Sequence, residues 1–177
     1  GTFTGGWFIG FYKMERFGLG RLQYERVTFP YEQYTKDGST IRKGDIVYNT
    51  HIPSSGPLTK DSRIDSYKRA YEFFKYELKG RPLTVVCHSW LLYPDNEKFF
   101  PNRSNIIDFM HDFDVIDHKV NNDSAPSWRV FGKDYKKPLN ELPGETSLQR
   151  AYIDWFRSGN KTGDGYGILL FDGTDIL

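Results

Sequence analysis

The sequence predicts an α+β domain: a mixed, mostly antiparallel sheet flanked by helices, with one parallel β-α-β crossover. Three observations predict it. Short apolar runs separated by Gly-rich turns fill residues 7–52. A long stretch with apolar residues at helical spacing follows at 59–79, and directly after it an unbroken apolar run of the buried-strand kind at 82–92.

Residues 7–13, with Trp7, Phe8, Ile9, Phe11 and Tyr12, read as a first strand, and "FGLG" at 17–20 as the turn of a hairpin into "RLQYERVTF" at 21–29. In that second run Leu22, Tyr24 and Val27 are expected to face away from Arg21, Gln23 and Glu25. "KDGST" and "RKGD" supply turn chemistry leading into a third strand, "DIVYNTHI". The helix over 59–79 carries Ile64, Tyr67, Tyr71, Phe74 and Leu78, with Thr59 as its cap and Gly80 and Pro82 as its stop. Because a strand precedes it and "PLTVVCHSWLL" follows it, the connection is a parallel crossover. Beyond it, "SNIIDFMHDF" (104–113) reads as a helix capped by Ser104, "DVIDHKV" and "SWRVF" as strands, "TSLQRAYIDWF" (146–156) as a helix and "YGILLF" (166–171) as the last strand.

Length and composition bound the function. A chain of 177 residues suits one domain, 1–177. Lys and Arg number 24 against 23 for Asp and Glu, with no basic block, so nucleic acid is not an expected partner. Aromatics, at 17% of residues, suit a strand-rich core with some left over to line a cleft. The one cysteine, Cys87, allows no intrachain disulfide, and no apolar stretch reaches the length of a membrane span, which points to a reducing, cytoplasmic setting away from the membrane. The four histidines, His51, His88, His111 and His118, lack metal-ligand spacing, so no metal is expected. The chain opens on Gly1 and runs at once into an apolar stretch, as a part of a longer protein would.

The informative segment is "NTHIPSSGPLT", 49–59, where a strand hands over to the long helix. Backbone amides and the positive helix end meet there, which attracts phosphate. Ser54 and Ser55 add hydroxyl donors and Gly56 allows close approach, while two prolines stiffen the loop. A plain strand-to-helix connector would read the same way.

Antiparallel strands, then a long helix into a parallel strand, then a shorter helix, resemble the core of the GNAT acyltransferases. More closely, "GLGRLQYE", "HIPSSGPLT", "CHSWLL", "SNIIDF" and "LPGETSLQR", from about Gly18 to about Gly159, resemble the GNAT-like C-terminal domain that follows a separate N-terminal domain in a group of bacterial acyltransferase-like proteins. The resemblance implies acetyl-CoA or another acyl-CoA as co-substrate, with pantetheine between the third strand and its parallel neighbour. It places the pyrophosphate at the start of the long helix, on Ile52, Ser54, Ser55, Gly56 and Thr59, with Asn105 in reach of a pantetheine amide. It also implies a small-molecule acceptor and an N-terminal partner domain, with Trp7 and Phe8 as candidates for the surface that meets it. The usual signature, Gln/Arg-x-x-Gly-x-Gly/Ala, is replaced by Pro53-Ser54-Ser55-Gly56-Pro57-Leu58. Either the serines stand in for missing donors or the loop binds something other than CoA.

Direct acyl transfer to an amine or hydroxyl needs a base, an oxyanion donor and an acid. His51 is the candidate base, or else a buried structural histidine, and Glu25 on the neighbouring strand would orient it, act itself as base, or be a solvated face residue. Cys87 and Ser89 share one face of their strand, His88 and Trp90 the other. A Cys87 thiolate activated by His51 would allow a covalent route, and His88 could act as acid or base; a small core cysteine is the plainer reading. Two further readings stand beside acyl transfer: a GNAT-shaped, non-catalytic binding module for the N-terminal partner, and a hydrolase built on Cys87 or Ser89, which lacks a G-x-S-x-G elbow.

Overall fold

The computed structural model describes residues 5–101, 104–121 and 127–177. They form two compact units, Gly1–Cys87 with Ile168–Leu177, and His88–Gly167. The architecture is α+β.

In the first unit, α1 (Gly5–Tyr12) precedes β1 (Arg16–Leu19), β2 (Leu22–Thr28), β3 (Gln33–Lys36), β4 (Ser39–Arg42), β5 (Ile46–His51) and α2 (Lys60–Leu78). β6 (Leu83–Ser89) and β8 (Gly163–Phe171) run through both units. The sheet of the first unit has the order β1-β2-β5-β6, with β8 as the other neighbour of β6; β3 and β4 form a separate two-stranded sheet. β1, β2 and β5 are antiparallel, and β5 and β6 are parallel, as the crossover through α2 requires.

The expected strand over 7–13 is the helix α1. An apolar run of that length fits either state, and the tight turn at Gly20 decides, because it registers β2 against residues 16–19 and not against the earlier run. The "KDGST" turn is itself a hairpin: Asp37 and Gly38, at φ 46 and 75, link the strands β3 and β4, whose polar sequences carry no strand signature. Val27 lies on the face of Glu25, opposite to Leu22 and Tyr24, since it pairs with Val47 two rungs from the Glu25–Asn49 pair.

Helix α2 starts where expected: the Thr59 side chain accepts from the Ser62 amide, and Lys79 in the left-handed region ends it. It buries Tyr67, Ala70, Phe74 and Leu78 against a largely aromatic core in which the Tyr48 and Phe74 rings lie 4.1 Å apart. A buried hydroxyl joins helix to sheet. Ser66 Oγ donates to Leu19 O and accepts from Leu22 N and from Tyr24 Oη, so it holds both ends of the β1–β2 turn against α2. Ser66→Ala is expected to cost about 1–3 kcal/mol, as the orphaned Leu22 amide and Tyr24 hydroxyl are buried, and a urea titration reads the shift.

In the second unit, α3 (Asn105–Met110), α4 (Trp128–Phe131) and α5 (Ser147–Arg157) contribute to or pack on a core of Phe100, Phe131, Tyr152 and Ile153, and β7 (Asp114–Val120) lies beside β8. α5 carries the full capping box, Thr146 with Gln149. The expected strand "SWRVF" is the four-residue helix α4, ended by Gly132 at φ 58, and its Phe131 is buried in this core. Among the described residues no helix is long and apolar enough to cross a membrane.

Candidate active site

The β2–β5 register pairs Gln23 with His51 and Glu25 with Asn49, which puts four polar side chains on one face of the sheet. Glu25 is the hub. Its Oε1 lies 2.7 Å from His51 Nε2 and accepts from Asn49 Nδ2 at 3.1 Å, and its Oε2 accepts from Arg16 Nη2 at 2.7 Å. A contact of 2.7 Å between a carboxylate and an imidazole nitrogen requires a proton between them, so Nε2–H donates to Glu25 and Nδ1 is the free basic nitrogen.

Helix α1 covers this face through Trp7. The Trp7 ring stands edge-on to the His51 ring with centroids 4.6 Å apart, the Arg16 guanidinium lies 3.5 Å over it, and its Nε1 donates to Gln23 Oε1. Arg16 also donates to Trp7 O at 2.9 Å, so one guanidinium bridges the helix and the carboxylate. Trp7 is therefore part of the site and only half exposed, while Phe8, the other residue expected at a docking surface, is exposed.

Burial and charge tune the pair. Burial lowers the His51 pKa below the ordinary histidine value, aided by the Arg16 charge, against the opposing pull of Glu25. For Glu25, burial acts upward, but hydrogen bonds from His51, Arg16 and Asn49 outweigh it and hold the carboxyl below its usual range. At neutral pH the site thus holds a neutral imidazole oriented by an ionised carboxylate. Such a pair has the protonation states that a general base of fixed tautomer requires.

The connection after His51 leads through residues 52–59 into α2. Arg21 Nε and Nη2 donate to Pro57 O and Gly56 O at 3.1 and 3.0 Å, and the buried Arg63 donates to Leu58 O at 3.1 Å. Across a trans peptide the N–H points opposite to the carbonyl, so the amides of Leu58 and Thr59 are turned away from these guanidinium groups. Ser54, Ser55, Gly56 and Thr59 are exposed, Ile52 is half-buried, and Gly56 sits at φ 71 with open space around the position of a Cβ. The exposed Ser54 and Ser55 hydroxyls and the N-terminus of α2 are donors that an anion at this turn could meet.

Beside this turn the parallel ladder is short. It consists of Tyr48–Val85 and Asn49–Val86, after which β5 continues to His51 without β6 rungs. Thr50, at 2% exposure, has an Oγ1 with no hydrogen-bond partner at that point.

The remaining candidates fall elsewhere. The Tyr48–Val85 rung puts Cys87 on the face of Tyr48, opposite to Asn49 and His51. Cys87 is buried at 1% exposure, and burial pushes its thiol up to about 12, so His51 activation of a thiolate has neither the geometry nor the ionisation it needs. His88 and Asn105 belong to the second unit, where both are exposed: His88 lies 6.3 Å from the Tyr166 ring and Asn105 opens α3 after the Ser104 cap. Ser89 Oγ accepts from Leu91 N as the cap of the Trp90–Leu92 turn, which occupies it structurally. No group of three or more His, Cys, Asp or Glu side chains that could hold a metal ion occurs among the described residues. Reading the sequence missed Arg16, Trp7 and Asn49 in the base cluster and Arg21 at the turn. Asn49, two residues before His51 on the same strand, carried an alternation signal; the other three depended on the true position of β1.

The chain matches the family model of the GNAT-like C-terminal domain over residues 17–169. Among solved structures it is similar to an acyltransferase in complex with decanoyl-CoA and teicoplanin, at 26% identity and a TM-score of 0.73, covering 93% of this chain and 49% of that one. It is similar also to an acyltransferase in complex with decanoyl-CoA (27% identity, TM-score 0.70, 92% and 48% covered) and to one with CoA and 10C-teicoplanin (26%, 0.72, 92% and 48%). The chain thus spans about half the length of the structures it matches. No curated protein sequence matches it.

Proposed function

Because the chain belongs to the family of GNAT-like C-terminal domains, we propose that it is the donor-binding and base-bearing part of an acyltransferase, which moves an acyl group from the thioester of acyl-CoA to an amine or hydroxyl. The observation that carries this reading is the Glu25–His51 dyad, 2.7 Å apart, placed at the strand end that leads directly into the turn before α2. Its similarity to acyltransferases holding decanoyl-CoA makes a medium-chain acyl-CoA the first donor to test.

The chemistry balances on these residues. His51 Nδ1 takes the proton of the acceptor nitrogen or oxygen as that atom bonds to the thioester carbonyl carbon. The carbon–sulfur bond then breaks, the electron pair leaves with the CoA sulfur, and the imidazolium returns the proton to that thiolate. Glu25 keeps Nε2 protonated throughout and stabilises the transient imidazolium. Ser54, Ser55 and the Leu58 and Thr59 amides hold the pyrophosphate, Ile52 lies along the pantetheine entry, and acceptor choice belongs in part to a domain outside this chain.

Isothermal titration of CoA, acetyl-CoA and decanoyl-CoA into the protein tests the reading. Saturable binding is expected, tightest for the longer acyl chain, and weakened in a Ser54→Ala, Ser55→Ala variant. Absence of heat with all three ligands would sink the enzyme reading. The altered turn would then mark a GNAT-shaped binding module without catalysis, partnering a further domain.

A further inference from the structure

We propose that Arg16 is a positioning residue for acyl transfer: it holds the Glu25 carboxylate in the orientation that keeps His51 Nδ1 bare, and it ties that orientation to α1. The assignment rests on the base reading above. The dyad has a competitor beside it. Asn49 Nδ2 lies 3.1 Å from His51 Nε2 as well as 3.1 Å from Glu25 Oε1. Were the carboxylate to turn away, that amide would donate to Nε2 and the ring proton would sit on Nδ1, the nitrogen that must stay bare to act as base. His51 and Asn49 both load Oε1, which fixes one end of the carboxylate only. Arg16 Nη2, 2.7 Å from Oε2, fixes the other end, and the Arg16–Glu25 rung of the β1–β2 ladder sets the two residues directly opposite each other.

Arg16 is itself built into α1. Nη1 donates to Trp7 O at 2.9 Å and the guanidinium lies 3.5 Å over the Trp7 ring, so one planar group grips helix and carboxylate together. Gly10 lets the helix come this close, since a Cβ there would lie 3.2 Å from Nη1. The α1–β1 connection is short and closed by Glu15 N donating to Gly10 O at 2.9 Å. With side chains 12% and 23% exposed, Arg16 and Glu25 are largely desolvated, and Arg16 Nε is buried without a hydrogen-bond partner. Desolvation offsets most of the attraction in such a pair, so its gain lies in orientation more than in stability. The charged groups that meet here are Arg16 from β1, Glu25 from β2 and, when protonated, His51 from β5; Asn49 of β5 and Trp7 of α1 complete the contacts.

Nitrogen NMR of the His51 ring in the wild type, Arg16→Met and Arg16→Lys reads tautomer and pKa without substrate. Wild type is expected to show the Nε2–H tautomer alone. Arg16→Met should add the Nδ1–H form and move the His51 pKa up, because the Arg16 charge lowers it. Arg16→Lys should keep the pKa near that of wild type but restore the tautomer only in part, since an ammonium lacks the planar fork that reaches both Trp7 O and Glu25. A pKa that rises in Arg16→Met with the tautomer unmoved would mean that Arg16 acts by charge alone, and no change in either would mean that it does not act on His51; both results overturn the assignment and spare the base reading. A wild type without the Nε2–H tautomer would instead overturn the dyad, and this inference with it. Should thermal unfolding show that Arg16→Met does not fold, Arg16→Lys decides, and an unmixed Nε2–H tautomer there rejects the grip on both partners.

Discussion

Replacing His51 with alanine is expected to slow acyl transfer by about 10²- to 10⁴-fold, the range for loss of a positioned general base, while CoA affinity changes little. Rate loss alone would not separate a base from a structural histidine, so the pH dependence carries the argument. The base works only as the neutral imidazole. Its activity is therefore full at high pH and is lost as pH falls through the His51 pKa, which burial sets below the ordinary histidine value near 6.5.

The neighbours move that limb in opposite directions. Glu25→Gln removes the carboxylate that opposes the effect of burial, so the acid limb of kcat/KM should shift further down, with a lower plateau because the imidazolium loses its partner. Trp7→Ala uncovers the imidazole, relieves the dominant burial effect, and should shift the limb up towards the ordinary value. NMR titration of the His51 ring, assigned through the His51→Ala spectrum, reads the same shifts without substrate. A His51 pKa at or above the ordinary value, or two variants that shift it the same way, would break the proposed dyad.

The dyad was legible in the sequence for a physical reason, and its surroundings were not. Glu25 and His51 lie on strands whose alternation is local, so their shared face follows once both strands are recognised. Arg16 enters the cluster only through its pairing with Glu25, which needs β1 at 16–19, and the unbroken apolarity of residues 7–13 draws the strand assignment away from there. Trp7 is then lost too, because a strand would have spent it on the core instead of presenting it over His51. Cys87 illustrates the opposite failure: alternation along β6 was sound, but which side meets His51 is settled only by the rungs to β5. α2 was legible because cap, stripe and stop agree, whereas β3 and β4 carry neither an apolar stripe nor a buried face along their length, and only their turn was visible.

The largest expected effect on stability comes from a strand whose sequence, "GDGYG", looks poorly suited to a sheet. Gly163, Gly165 and Gly167 alternate along β8, so they share one face, and neighbouring chain fills the space their missing side chains leave. A Cβ on Gly165 would sit 2.0 Å from Leu92 O and 2.6 Å from its carbonyl carbon; one on Gly163 would sit 2.3 Å from Lys119 O. The obstacles are backbone atoms, and the Trp90–Leu92 turn that carries the first is pinned by the Ser89 cap and by Asn96 Nδ2 donating to Trp90 O. Side-chain repacking cannot relieve such an overlap. Gly165→Ala should therefore destabilise the second unit by about 3 kcal/mol or more, at the upper end of overpacking substitutions. Gly18→Ala on β1, where a Cβ meets nothing within 4 Å, should instead leave stability unchanged or raise it by about 0.5–1 kcal/mol. Urea midpoints of the two variants test the contrast. If Gly165→Ala unfolds with the wild-type midpoint, the Leu92 turn is free to move off β8, and the close approach that these glycines permit is not what holds it there.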